Sequence, residues 1–315
     1  MSRRDCRGTG SHTIGKAVGG RVAWTQTPDP STVPVPFKTL VDLAAGLNFC
    51  GLRLAARSRP LAREYLSKCL RLYDELMRFG LPSSNPLAFL DKEGWSRASR
   101  SSTLELPTHL SDSGGTQIEE LVYLAAVTRR MQPRRIFEIG TYSGRTTAVF
   151  VMNSPADTEV ITLDLPPDSA ASTNTEIATD RELIESRSLA SFAHALGLGD
   201  RFEQILCDSL RFDPERYRGA VELAFIDGAH SLAYVKNDTE KVAVMAAERS
   251  LVFWHDYGGK GTFRALTQYL EELGRAGRIY RIPGTSLAWA SGAELKRALG
   301  LKRETSPGVG RLTQV

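Results

Sequence analysis

The residues best suited to chemistry lie where a short apolar run leads into a glycine-bearing turn and then into a helical pattern. From Phe137 to Thr147 the chain reads Phe-Glu-Ile-Gly-Thr-Tyr-Ser-Gly-Arg-Thr-Thr. Glycine lets the backbone approach a bound molecule closely. The start of the helix that follows offers N–H groups without partners inside the helix. Taken alone, the pattern also fits an ordinary turn of an α/β protein.

A carboxylate, Asp164, follows the next apolar run, in the sequence VITLDLPP. Beside the glycine turn, it can accept hydrogen bonds from both hydroxyls of a ribose. A dinucleotide site would require Gly-x-Gly-x-x-Gly, but Tyr142 stands where the second glycine would admit a pyrophosphate. Glu138 would repel phosphates, whereas it can hold the cationic amino group of a methionine moiety. These charges favour S-adenosylmethionine (SAM) over NAD.

Two further aspartates, Asp227 and Asp256, follow later apolar runs and should meet where a doubly wound sheet opens its crevice. Such a pair can hold Mg²⁺ or another divalent cation, which would orient a hydroxyl oxygen and lower its pKa. His230 is placed to act as a general base toward that hydroxyl; the alternative is a helix-capping or packing role. His255 is a candidate third ligand, a residue that orients a ligand, or a core residue.

The elements that must position these residues follow from the hydrophobic periodicity. From Arg135 onward, short apolar runs alternate with helical patterns, which predicts a parallel sheet with crossover helices. A helix near residues 262–273 comes next, and then two runs joined by Pro283-Gly284-Thr285, which predict an antiparallel hairpin. The runs are IFEI, VITL, FEQIL, ELAFI and SLVFW, then RIYRI and SLAWA. We therefore expect a doubly wound, Rossmann-like α/β fold with an antiparallel final strand, preceded by an α-helical segment.

In their order, these motifs resemble those of the class I SAM-dependent methyltransferases, in the O-methyltransferase-like branch whose first motif reads Glu-Ile-Gly-Thr-x-x-Gly. The second marker is Phe-Ile-Asp-Gly-Ala-His-Ser at 225–231, followed by Tyr234 and Asp238. The third is Trp-His-Asp-Tyr at 254–257. The resemblance covers about residues 116–290. It implies methylation of a hydroxyl on a small molecule such as a sugar or a natural product.

The resemblance also implies roles for single residues. It places Asp164 on the ribose and Asp208 on the adenine, although an Asp before a Ser is also a common helix cap. Ala247-Glu248-Arg249-Ser250 replaces the usual Pro-Gly-Gly turn, and Tyr257, a poor Mg²⁺ ligand, stands where catechol-type relatives carry a metal-binding Asn. The predicted cofactor-binding residues are Glu138, Gly140, Thr141, Tyr142, Ser143, Gly144, Asp164, Asp208, Ser209 and Asp227. The predicted catalytic residues are His230 and Asp227, and the predicted metal ligands are Asp227, Asp256 and His255.

Four regions are predicted along the chain. Residues 1–35, rich in Gly, Ser, Thr and Pro, form a flexible arm, and residues 36–115 form a helical accessory or cap segment and a connector. Residues 116–292 form the SAM-binding domain, and residues 293–315 a C-terminal helix and tail. The segment 165–180 is either a lid over the cofactor or a disordered insertion.

Charge and composition limit the classes of binding partner and the cellular location that the sequence predicts. The first hundred residues carry 16 Lys and Arg against 8 Asp and Glu, but the basic residues are scattered through helical pattern, so no nucleic-acid partner is inferred. The four cysteines lack metal-site spacing, which suits a reducing cytoplasm, and no signal peptide or membrane span is predicted. The N-terminal helices suit a homo-oligomer interface or a cap over the site equally well. Two alternatives to methyl transfer are a hydroxylase-like relative on the same fold and a non-catalytic cofactor-binding scaffold.

Overall fold

The computed structural model describes residues 80–99, 102–107, 115–166, 188–258 and 263–301. The predicted arm, the predicted helices between Phe37 and Phe79, the C-terminal tail and most of the predicted lid segment lie outside these residues. Within the described ranges, none of the helices is long and apolar enough to cross a membrane.

A seven-stranded sheet forms the centre of the protein, in the order β3-β2-β1-β4-β5-β7-β6. The first five strands are parallel to one another, and β7 runs antiparallel to both β5 and β6. The strands are β1 (Arg135–Ile139), β2 (Glu159–Asp164), β3 (Glu203–Leu206), β4 (Val221–Ile226), β5 (Ala246–Trp254), β6 (Tyr280–Arg281) and β7 (Ala288–Ser291). This topology confirms the class I methyltransferase fold expected from the sequence.

The helices of the described ranges cover both faces of this sheet. They are α1 (Pro86–Lys92), α2 (Ile118–Met131), α3 (Arg145–Asn153), α4 (Ser191–Ala195), α5 (Leu232–Met245), α6 (Arg264–Ala276) and α7 (Gly292–Ala298). Successive strand residues point to opposite faces, so Ile136 packs in the core beneath α2 and α3, while Phe137 packs in the core beneath α5 and α6. Both side chains are fully buried, and burial of each stabilises the fold by roughly 1.5–3 kcal/mol.

The predicted strands and the closing hairpin are present, but three details differ. Pro86–Lys92 is helical inside the expected connector, with Asn85 accepting a hydrogen bond from Leu87 N as its N-cap. The segment 247–250, which replaces a Pro-Gly-Gly turn, belongs to β5 and produces an irregular register against β4. Strand β7 begins two residues later than the run SLAWA, because the backbone N–H of Ser286 donates to the Glu120 side chain instead of to a neighbouring strand.

Candidate active site

The turn after β1 adopts a backbone that requires glycine. Gly140 has φ of 100° and Gly144 has φ of 80°, and Tyr142 between them also takes a positive φ, of 47°. A Cβ on Gly140 would lie 2.0 Å from the backbone oxygen of Asp227. The glycine turn is therefore pressed against the end of β4, so two predicted parts of the site adjoin each other.

Glu138, at the end of β1, is a fully buried carboxyl group. Its Oε2 accepts a hydrogen bond of 2.5 Å from the hydroxyl of Thr147 on α3, and its Oε1 has no hydrogen-bond partner among the described residues. Burial raises the pKa of Glu138 to about 8, and the nearby charges of Asp227 and Asp164 act in the same direction. Such a carboxyl group is suited to a cationic ligand, because a positive charge would stabilise its ionised form.

Asp164, at the end of β2, fixes the shape of the glycine turn. Its Oδ2 accepts from the backbone N–H groups of Thr141 (3.0 Å) and Tyr142 (2.9 Å), and its Oδ1 accepts from Leu165 N (2.7 Å). On the outer side of the turn, the carbonyl of Ser143 accepts from Phe192 N on α4. The N–H groups of the turn are thus partly directed at Asp164, and the predicted ribose contact would use a carboxylate that already organises the loop.

The predicted adenine-contacting pair lies in the turn after β3. Asp208 Oδ1 accepts from Leu210 N at 2.9 Å, which closes a turn and does not cap a helix, since no helix begins at this point. Burial and Asp208 together raise the pKa of the neighbouring Tyr234 hydroxyl to about 12. The carbonyl of Ser209 accepts hydrogen bonds from Asn237 and Lys241 of α5. This turn is therefore held by α5, and its contact with adenine stays a prediction.

Asp227, His230 and Asp256 come together at the carboxyl ends of β4 and β5. Each offers one ligand atom, and these three atoms lie within 4.8 Å of one another. His230 Nε2 lies 2.9 Å from Asp256 Oδ2, and its ring packs on Phe263 with centroids 4.2 Å apart. Asp256 has a φ of 60°, a left-handed conformation that is strained for a non-glycine residue and is typical of functional sites.

His255 lies beneath this cluster with both ring nitrogens facing carboxylates. Its Nε2 is 2.9 Å from Glu120 Oε2, and its Nδ1 is 3.1 Å from Asp227 Oδ1 and 3.3 Å from Asp256 Oδ2. Burial by itself would lower the pKa of His255, but the charges of Asp227 and Asp256 raise it well above its usual value. The two aspartates therefore favour the protonated form of His255, whose positive charge would compensate the buried carboxylates.

Glu120, on α2, is the partner that sequence reasoning missed. Its side chain is fully buried. Its Oε1 accepts from both the N–H and the hydroxyl of Ser286, each at 2.7 Å, and its Oε2 accepts from Gln117 N at 2.8 Å. Burial alone would raise its pKa, but His255 and Ser286 lower it to about 2. Glu120 thus joins α2 and the β6–β7 connection to the base of the cluster.

Most of the residues of this site lie in a segment that matches a known protein family. A family model described as a methyltransferase domain matches residues 137–257, from β1 to the residue after Asp256. Over these residues the chain is similar to a methyltransferase domain. The matched segment contains the glycine turn, Asp164, the turn after β3 and the Asp227–His230–Asp256 cluster. Glu120 and Ser286 lie outside it, one before the matched segment and one after it.

Several solved structures are similar to the chain. Cofactor-bound Rv0187 from MTB shares 18% identity over 60% of this chain and 84% of that one, with a TM-score of 0.44. The SAH-bound methyltransferase PaMTH1 of Podospora anserina shares 14% identity over 82% and 97%, with a TM-score of 0.43. The O-methyltransferase TomG of Streptomyces achromogenes, in complex with SAM, shares 17% identity over 58% and 81%, with a TM-score of 0.40. No curated protein matches the chain.

Tyr257, the last residue of the matched segment, is directed away from the cluster. Its hydroxyl accepts from Leu81 N at 2.7 Å and lies 3.3 Å from Glu271 Oε1 on α6. Burial raises its pKa to about 12. The phenol therefore connects the methyltransferase domain to the preceding chain, and it occupies a structural position and not a ligand position.

Proposed function

We propose that the protein transfers a methyl group from SAM to a hydroxyl oxygen of a small molecule, such as a sugar or a natural product. The observation that carries this proposal is the contact between the glycine turn and the Asp227–His230–Asp256 cluster. Because Gly140 lies against the backbone of Asp227, a cofactor in the turn and an acceptor at the cluster would be neighbours. Methyl transfer requires this proximity, since the acceptor oxygen must approach in line behind the methyl group.

The residues present fit SAM. The cofactor supplies a methyl group activated by a sulfonium ion. The Oε1 atom of Glu138, buried and without a hydrogen-bond partner among the described residues, suits the cationic amino group of the methionine moiety. Asp164 would hold the ribose, and Asp208 and Ser209 would meet the adenine. The backbone of residues 140–144 would form the wall along the cofactor.

The cluster also fits a divalent cation. Asp227 and Asp256 offer carboxylate ligands, and His255, the predicted third ligand, has its Nδ1 3.1 Å from Asp227 Oδ1 and 3.3 Å from Asp256 Oδ2. A cation there would supply a Lewis acid that lowers the pKa of the acceptor hydroxyl. The carboxylates would orient the acceptor, and His255 and Glu120 are buried beneath them.

His230 is the proposed general base. Asp256 orients its ring through Nε2 and would stabilise the imidazolium, as a carboxylate does for a catalytic histidine. The acceptor hydroxyl would give its proton to the His230 imidazole as its oxygen bonds to the methyl carbon and the carbon–sulfur bond breaks. The products are a methyl ether, S-adenosylhomocysteine and a protonated His230, which then releases the proton to solvent.

The test is methyl transfer from SAM with a radiolabelled methyl group to a panel of hydroxylated sugars and glycosylated natural products. On the acceptor found, His230→Ala should lower turnover by about 10²–10⁴-fold and leave SAM affinity nearly unchanged. His230→Gln, which keeps the size of the side chain, is the matched control for packing against Phe263. Full turnover in both variants would refute the base assignment. The cytoplasmic location and the homo-oligomer predicted from the sequence stay part of this proposal.

A further inference from the structure

One face of α5 carries polar side chains that pack against the turn after β3. Tyr234, Asn237, Asp238 and Lys241 follow one another at helical spacing and form this polar face. Tyr234 and Asp238 are buried, and Asn237 and Lys241 are half-buried. Because burying polar groups costs stability unless they make hydrogen bonds, the partners of the polar face indicate its role.

The main partner of the polar face is the carbonyl group of Ser209. It accepts from Asn237 Nδ2 at 3.0 Å and from Lys241 Nζ, which also donates to the carbonyl of Leu210 at 3.0 Å. Asn237 Nδ2 donates in addition to Asp238 Oδ1 at 2.8 Å, so two acceptors fix the orientation of this amide. Two donors from α5 therefore hold one backbone carbonyl of the turn.

This contact reaches the Asp208 side chain through a single peptide unit. The C=O and N–H groups of a trans peptide point in opposite directions. Because the carbonyl of Ser209 is held by α5, the N–H of Leu210 points to the other side of the turn, where it donates to Asp208 Oδ1 at 2.9 Å. Asn237 and Lys241 thus determine where the Asp208 carboxylate is held.

Asp238 connects the polar face to the turn after β4 as well. Its Oδ2 lies 3.3 Å from the position that a Cβ on Gly228 would occupy. Burial raises the pKa of Asp238 to about 6, while hydrogen bonds from Ser209 and Asn237 and the charge of Lys241 act in the opposite direction. The turns after β3 and β4 therefore share one support on α5.

We propose that Asn237 and Lys241 are positioning residues: by holding the turn after β3, they aim the Asp208 carboxylate at the base of the cofactor and set its selectivity for adenine over hypoxanthine. The amino group on C6 of adenine is a donor, which a carboxylate can accept. Hypoxanthine carries an oxygen at C6 and its donor on N1, so it suits only a carboxylate that can move. This inference rests on the SAM site of the proposed function and on the adenine contact predicted for Asp208.

The experiment compares two ligands that differ at C6 of the base, S-adenosylhomocysteine and S-inosylhomocysteine, by calorimetry with the full chain. The wild type should bind the adenine compound about 10–100-fold more tightly, which is the usual contribution of a hydrogen bond to a charged group. Lys241→Met and Asn237→Ala should each lower this ratio of affinities at least about threefold. A loss of stability alone would weaken both ligands by the same factor, so the ratio separates positioning from folding.

Two further variants serve as controls on α5. Lys241→Arg keeps the positive charge and the N–H donors, and it should retain most of the ratio. Lys236→Met, the same substitution at an exposed lysine of this helix, should leave the ratio unchanged. Circular dichroism and thermal unfolding establish that each variant folds.

An unchanged ratio in folded Lys241→Met or in folded Asn237→Ala overturns the proposal, and so does a wild type that binds the two ligands equally. In each of these cases, binding of S-adenosylhomocysteine still supports the cofactor site, and the proposed function stands without this inference. A wild type that binds neither ligand contradicts the proposed function itself.

Discussion

Replacement of Glu138 by Gln tests whether the cofactor pocket contains a carboxyl group that is costly to ionise. Glutamine keeps the size of the side chain and can still accept the hydrogen bond from Thr147, but it cannot carry a charge. In the cofactor-free chain, burial raises the pKa of Glu138 from 4.5 to about 8. The substitution therefore removes a group whose charged form the fold disfavours.

The sign of the effect follows from proton linkage. Between pH 4.5 and about 8 the folded chain retains a proton on Glu138 that the unfolded chain has released, so stability falls as pH rises. Each pKa unit is worth about 1.4 kcal/mol, so this group costs the wild-type chain about 3 kcal/mol between pH 6 and pH 9. Glu138→Gln lacks this loss and should be the more stable protein at pH 9.

The assay is denaturant unfolding of both proteins between pH 6 and pH 9 without cofactor. Relative to the wild type, the free energy of unfolding of Glu138→Gln should increase between pH 6 and about pH 8 and then level off, by about 3 kcal/mol in total. Glu272→Gln, the same substitution at an exposed glutamate on α6, is the matched control. Parallel pH profiles for Glu138→Gln and wild type would refute the argument.

The same group should control cofactor binding. At pH 7 the buried carboxyl of the free chain is largely protonated, so it must lose its proton to pair with the ammonium group of the cofactor. Binding of S-adenosylhomocysteine should release up to one proton, measured by calorimetry in buffers of different ionisation enthalpy. Glu138→Gln should bind more weakly and release none from this position.

Two further substitutions test the structural contacts made by Gly140 and Tyr257 around the site. Gly140→Ala would place a Cβ 2.0 Å from the backbone oxygen of Asp227, at a position with a φ of 100°. It should lower the free energy of unfolding by more than Gly94→Ala, because Gly94 has a φ of 64° but open space around it. Equal losses of about 1–2 kcal/mol in the two variants would show that backbone strain, and not the contact with Asp227, causes the effect. Tyr257→Phe leaves Leu81 N without its acceptor and should cost about 1–3 kcal/mol of stability. Its affinity for a divalent cation such as Mg²⁺ should not change, and a loss of that affinity would contradict the structural role of the phenol.

The sequence predicted the central sheet because local patterns carry that information. The runs around Phe137, Ile161 and Phe225 are short, apolar and followed by polar residues, and parallel strands bring their carboxyl ends to one edge. The proximity of Asp227 and Asp256 follows from this rule alone. The antiparallel hairpin was likewise visible in Pro283-Gly284-Thr285.

The interior of the site could not be predicted in the same way. The contact between Glu120 and His255 joins residues 135 positions apart, and no local pattern encodes it. The hydrogen bond from Gln117 N to Glu120 at the start of α2 is local, but the contact between Glu120 and His255 depends on how α2 packs. The charge of His255 depends on burial between three carboxylates, which is a property of the folded chain.

The sequence also could not show which hydrogen bonds the carboxylates at the strand ends make. Asp164 and Asp208 were each placed at the end of a strand, as found. Their hydrogen bonds to backbone N–H groups of Thr141, Tyr142 and Leu210 are local, however, and depend on turn geometry. A motif predicts the residue type and its position at the end of a strand. It does not predict which carboxylate oxygens already accept hydrogen bonds from the backbone.

Titration of the purified full chain with SAM and, separately, with NAD tests the central claim most directly, with Asp164→Asn and Asp164→Ala as variants. The account predicts micromolar binding of SAM that is weakened in Asp164→Asn and lost in Asp164→Ala, and no binding of NAD. Binding of NAD alone, or SAM binding indifferent to both substitutions, would contradict the assignment of the glycine turn and Asp164 to a SAM site.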